Sequence, residues 1–275
     1  MSSPGAGRAR DDIERAHLRD PADASFSIAR AGVADDLRDL ARRFWIPVWD
    51  VGPGEQAPQR VLQYPVCLVV VSAEYARFYG VVSGLSTTTL TGRGWAVGLM
   101  LQPAAGRLLT GRPVSEYTDR HVDLQEVADL GVLTGRIRQI MGPDPSDPDA
   151  QCRARGLVED ALRPHLPVDC EGRLVNAIVE AVEGDASIRR VGQVCAAFDL
   201  TERSLQRLTR RRLGLSPAWL IRRRRLHEAA DRLRDGDVDL AGLAHDLGYA
   251  DQAHLTRDWR AVTGTTPGAF AARFR

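Results

Sequence analysis

The chain has 275 residues, 44% of them apolar and 27% charged, a globular composition that suits two domains of ordinary size and excludes global disorder. Its net charge of +1 conceals a division: residues 186–275 carry 17 arginines against 10 acids, and residues 1–185 carry 20 arginines against 26 acids. A basic C-terminal part beside an acidic remainder points to a polyanion partner for the former alone. In chain order, residues 1–25, rich in Ser, Gly, Ala and charge, are expected to be disordered or to form a short helix. From Phe44 to about Gln102, β-branched or aromatic runs alternate with Gly and Pro: RFWIPVWDV, PVCLVVV, ARFYGVVS, LSTTTL and WAVGLML. They predict about five strands of an antiparallel sheet or small barrel, with SAEY short enough for a hairpin. Beyond Pro103 the pattern turns helical through AAGRLLTG, DLQEVADL and VLTGRIRQIM. Three prolines and three aspartates within 142–150 mark a linker. Helical patterns follow at 151–163 and 171–182, and Gly184-Asp185 closes the second. The expected fold is α+β, with a β-rich domain and its following helices over 26–184 and an all-α domain over 185–275.

The basic part repeats itself at an offset of 50 residues. Ile188 falls on Val238, Val194 on Ala244, Leu205 on Leu255 and Arg207 on Arg257, and GLSP at Gly214–Pro217 matches GTTP at Gly264–Pro267. Such spacing reads as a duplicated helical unit. In each copy a short helix (188–197; 240–247) leads through a turn to Thr201 or Asp251, placed to cap a second helix. That helix stops near Gly214 or Gly264, with Pro three residues on. Helix, tight turn, helix is the plan in which the second helix enters the DNA major groove.

Arg203, Gln206, Arg207 and Arg210 form one stripe on the first such helix, with Leu205 and Leu208 on the other side. Arg and Gln are the side chains that pair bidentately with guanine and adenine edges. The matching stripe in the second unit is Ala253, Thr256, Arg257 and Arg260, with Gln252 and His254 beside it; being less basic, it predicts fewer base contacts. With the capping Thr201, the DNA-binding set is Thr201, Arg203, Gln206, Arg207, Arg210, Gln252, Ala253, Thr256, Arg257 and Arg260. Between the units, SPAWLIRRRRLHEAADRLRDG predicts a long connecting helix. Its run Arg222–Arg225 reads equally as a solvated face or a phosphate rail.

These strings, above all DLAGLAHDLGYADQAHLTRDWRAVTGTTPGAF, resemble the AraC family of bacterial transcription regulators over about residues 186–275. The resemblance implies a seven-helix DNA-binding domain, with promoter DNA and RNA polymerase as partners. It also implies base reading at Arg203, Gln206 and Arg207 in the first unit and at Gln252, Ala253, Thr256 and Arg257 in the second. FWIPVWDVGPGEQAPQRVL and GRPVSEYTDRHVDL resemble an N-terminal module that accompanies some members, similar in outline to a small β-rich sensor domain. The module lacks the clustered histidines of a metal-binding cupin.

Eight of the 16 aromatic residues lie between Phe44 and Trp95. They read either as a core or as a pocket for a small effector, for which the candidates are Trp45, Trp49, Tyr79 and Trp95. The alternative role for residues 1–184 is a module that senses no ligand and only dimerises or binds a protein partner, the helices at 151–163 and 171–182 pairing across a two-fold axis. An enzyme is not expected: GxSxG, HExxH and Gly-rich phosphate loops are absent, and Cys67, Cys152, Cys170 and Cys195 stand isolated. Neither a cofactor nor a metal is expected. No apolar run approaches ~18 residues, so no membrane span is expected. Without a secretion signal the expected location is cytoplasmic.

Overall fold

The computed structural model describes residues 12–275. A short helix α1 (Asp12–Ala16) precedes eight strands: β1 (Phe26–Gly32), β2 (Ala41–Asp50), β3 (Ala57–Val61), β4 (Leu68–Ser72), β5 (Ala76–Tyr79), β6 (Ser86–Leu90), β7 (Arg93–Leu101) and β8 (His121–Asp123). Six of them form an antiparallel sheet in the order β1-β2-β7-β4-β5-β8, and β3 and β6 pair as a separate ribbon. All five predicted strands are present, and β4 and β5 form the expected hairpin. The 1–25 expectation divides: residues 1–11 lie outside the described residues, whereas 12–25 are built into the fold. Ile13, Ala16 and Leu18 are buried, and Leu18 N–H donates to the Arg60 carbonyl at 2.8 Å. Apolar side chains spaced along so short a segment gave too weak a period to register in the sequence.

Alternation along the strands separates two apolar layers, because successive side chains point to opposite faces. Phe44, Ile46, Val69, Val71, Trp95, Val97 and Leu99 face one way. There they meet α2 (Ala105–Thr110), α3 (Leu133–Met141) and α4 (Pro148–Leu162), through Leu109, Ile137, Met141, Ala154, Val158 and Leu162. Each such Val, Leu, Ile, Phe or Met side chain, fully buried, contributes about 1.5–3 kcal/mol. Leu68, Val70, Ala96 and Met100 face the other way, toward Ala16, Tyr64 and Val66. Asp147 caps α4 with Pro148 behind it, so the helix starts inside the linker read from 142–150. DLQEVADL forms two 3₁₀ turns in place of a helix.

The remaining helices are α5 (Cys170–Gly184), α6 (Val191–Ala197), α7 (Glu202–Leu213), α8 (Pro217–Leu233), α9 (Leu240–Asp246), α10 (Gln252–Thr263) and α11 (Pro267–Ala271). Val175, Ile178, Val179 and Val182 of α5 share a core with Val194, Leu205, Leu208 and Ile221. The core of the first helical unit therefore extends back across Gly184-Asp185. Asn176 of α5 also holds the β-rich module, accepting from Ala104 N–H and donating to the Asp39 carbonyl, both at 2.9 Å.

Candidate nucleic-acid interface

The two helix-turn-helix units, α6–α7 and α9–α10, are built by the same local chemistry. Thr201 accepts from the Ser204 N–H at 3.2 Å, and Asp251 accepts from the His254 N–H at 2.6 Å, so each second helix opens on a side-chain cap. Both run for 12 residues and stop at a left-handed glycine, Gly214 with φ 77° and Gly264 with φ 76°. Ser216 and Thr266 then cap the next helices, each followed by proline at the first helical position.

Their inward faces are fixed by burial: Leu205, Leu208 and Leu213 in α7, and Leu255 and Trp259 in α10, where Trp259 has no accessible surface. The opposite face of α7 presents Arg203, Gln206, Arg207 and Arg210, all exposed. None of these four side chains makes a hydrogen bond or ion pair among the described residues. In α10, Gln252, Ala253, Arg257 and Arg260 are exposed and Thr256 is half-buried. His254 stands edge-on to Tyr249 at 5.1 Å.

Neither reading of Arg222–Arg225 describes the structure. Arg222 Nε donates to Asp258 Oδ1 at 2.5 Å, and the other oxygen of Asp258 accepts from the Tyr249 hydroxyl at 2.8 Å. Arg223, 3% exposed, donates to the carbonyls of Ser83 and Gly84 at 2.7 and 2.8 Å. Arg224 pairs with Glu228 at 2.9 Å and donates to the Ile188 carbonyl at 3.2 Å, and Arg225 donates to the Arg189 carbonyl at 3.0 Å. The run ties the connecting helix α8 to both units and to the module. Burial holds the Arg223 guanidinium down at about 9, its neighbour Arg222 adding to the effect. Among the described residues no carboxylate hydrogen-bonds or ion-pairs with Arg223, although Asp119 acts on it at longer range; carbonyl oxygens and the Trp219 ring, 4.5 Å away, are its partners.

The β-rich module grips both units. Within the first unit, α5 closes on α7: Arg212, only 2% exposed, donates to Asp169 at 2.5 Å and Glu171 at 3.0 Å. Burial alone raises the Asp169 carboxyl, but hydrogen bonds from Arg212 and the Gly172 N–H outweigh it and hold the group below its ordinary value. Gly214 lies against Thr118, whose hydroxyl donates to the Gly214 carbonyl at 3.3 Å. On the second, Leu18 and Leu62 enter the core formed by Leu226, Leu243, Leu255 and Trp259. Arg234 donates to the His17 carbonyl at 2.8 Å.

A concavity lies inside the module, between the six-stranded sheet and the β3–β6 ribbon. It is a cavity of about 190 Å³, and Trp45, Trp49 and Tyr79 line it. Trp95 does not: it sits on the other face of the sheet, 6% exposed among Phe44, Val97 and Leu99. Residue type could not separate these tryptophans; the strand parity of β2 against β7 does. Cys67 is buried, and burial pushes its thiol up to about 12, the opposite of an activated nucleophile.

The fold and site define a protein with a duplicated helix-turn-helix domain behind a β-rich module. Residues 194–273 match the family model described as a helix-turn-helix domain, and residues 33–123 match a domain of unknown function. The C-terminal part of the chain is thus similar to the helix-turn-helix domains of transcription regulators. It is 30% identical over 76 residues to the HTH-type transcriptional activator RhaS of Pectobacterium carotovorum, covering 28% of this chain and 27% of that one. It is 29% identical over 109 residues to the HTH-type transcriptional regulator NimR of Escherichia coli, covering 40% of each. The chain thus matches between about a quarter and two fifths of the length of these relatives. Among solved structures, ToxT of Vibrio cholerae O395 is 11% identical, with a TM-score of 0.40 over 92% of this chain and 99% of that one.

Proposed function

We propose that the chain is a sequence-specific DNA-binding regulator of transcription, in which α7 and α10 enter successive major-groove segments of promoter DNA. The observation that carries this reading is the pair of exposed faces on two side-chain-capped helices, one of them holding three arginines and a glutamine with no hydrogen-bond or ion-pair partner among the described residues. Buried leucines fix the opposite face of each helix, so the stripes are presented to a groove and do not close on the protein's own core. Arg203, Gln206 and Arg207 read base edges, and Arg210 with Arg260 sits where phosphates pass. The less basic stripe of α10 gives a smaller share of the specificity, through Gln252, Ala253, Thr256 and Arg257. A small effector held in the cavity beneath the ribbon modulates binding; the rings of Trp45, Trp49 and Tyr79 support this part of the reading. The test is binding to sites selected from random duplexes, followed by the same measurement on Arg207→Ala. The variant should lose about 1–3 kcal/mol and relax its preference at one base pair. Unchanged affinity and unchanged preference would remove α7 as a reading helix.

A further inference from the structure

We propose that the ligand of the module's cavity is an uncharged, flat, one- or two-ring molecule with a hydrogen-bond donor at its edge; this rests on the effector reading above. Size sets the first limit. At about 190 Å³ the cavity is slightly larger than the roughly 150 Å³ apolar cavity that takes up benzene.

Its shape is set by two glycines. Trp45 pairs with Gly98 and Trp49 with Gly94 across β2 and β7. A Cβ on Gly98 would fall 2.3 Å from the Trp45 ring, and one on Gly94 would fall 2.3 Å from the Trp49 ring. Glycine therefore lets both indoles lie flat on the sheet and leaves the space above them open. Rings held flat select flat partners, which stack offset or meet edge to face.

Charge sets the third limit. No Asp, Glu or Arg lines the cavity among the described residues. Its one histidine, His17, is bonded to Gln59 at 2.8 Å, and burial lowers its pKa, so the lining is neutral at pH 7. An anion would lose its hydration there with no cation to meet it. A cation fares no better: no carboxylate lines the cavity among the described residues to offset its lost hydration. One buried polar side-chain atom of the lining is left without a partner among the described residues. Gln63 lines the cavity, and its Oε1 is buried and accepts no hydrogen bond among the described residues. A carbonyl oxygen in that state calls for a donor.

The test is calorimetric titration of the full chain at pH 7 with 2-naphthol, 2-naphthoate and benzyltrimethylammonium. The expected result is at least tenfold tighter binding of 2-naphthol than of either ion. Gln63→Leu should weaken 2-naphthol by about three- to tenfold, the effect of one neutral hydrogen bond. Gly98→Ala, which pushes Trp45 into the cavity, should abolish binding with the circular dichroism of the sheet retained. Should 2-naphthoate or the ammonium ion bind as tightly as 2-naphthol and lose binding in Gly98→Ala, the neutral class is wrong and the effector site stands. Should none of the three bind, or should Gln63→Leu and Gly98→Ala both bind 2-naphthol like the parent, the site itself is wrong.

Discussion

His227 makes the junction between α8 and the module sensitive to acid. The residue is 3% exposed and meets Tyr64 edge-on, ring centres 4.2 Å apart. Burial, then the charges of Arg223 on α8 and Arg15 on α1, pushes its imidazole down from 6.5 to about 3, against the opposing carbonyls of Leu62 and Gln63. The unfolded chain takes up this proton as pH falls through 6.5, and the folded chain does not until about 3. Folding stability is therefore whole above 6.5 and declines with falling pH across that window. At about 1.4 kcal/mol per unit, moving from pH 7.5 to 5 costs about 2 kcal/mol, and the limiting loss near pH 3 is about 5 kcal/mol. The first figure alone is a large share of the roughly 5–15 kcal/mol that holds a domain folded. The assay is urea unfolding of the parent and of His227→Leu at pH 7.5 and pH 5. Carboxylates titrate alike in both proteins, so the difference between them isolates the imidazole. That difference should shift by about 2 kcal/mol between the two conditions, against the parent at pH 5. A difference that stays constant refutes the argument.

The two glycine stops form a matched pair. Gly264→Ala meets open space and should cost only the left-handed backbone penalty, about 1–2 kcal/mol in thermal melts. Gly214→Ala adds a Cβ 2.1 Å from the Thr118 hydroxyl, so it should cost clearly more; equal costs would mean that this contact is absent. Replacing Asp169 and Glu171 together by Asn and Gln leaves the Arg212 charge buried and alone. Since both acids are partly exposed, the expected loss is about 2–3 kcal/mol, and Arg212→Leu, which removes the buried charge, should lose less. Arg223→Met should lower the melting temperature and leave unchanged the slope of DNA affinity against salt, because its guanidinium is spent on the 82–84 carbonyls. A flatter slope would restore the phosphate-rail reading.

The duplicated unit was legible because its signals are local. A cap oxygen, a left-handed glycine and a following proline recur at fixed offsets, and each acts within four residues of itself. The arginine run was not, since the sequence of α8 does not say that the carbonyls of residues 82–84, 186–189 and Asp258 will close over it. Trp95 was misplaced because side-chain chemistry alone cannot tell the two faces of a sheet apart. α5 was assigned to the module on the strength of Gly184-Asp185, yet its valines complete the first unit's core. Long-range packing decided each of these cases.

The module touches one reading unit at Gly214 and the other at Leu18, Leu62 and Arg234, so it works as a second strut parallel to α8. With two struts the gap between α7 and α10 is fixed like that of a caliper. With α8 alone the jaws could twist. A chain cut back to 169–275, which keeps α5 and the first unit's core, should therefore tolerate altered half-site spacing that the full chain rejects.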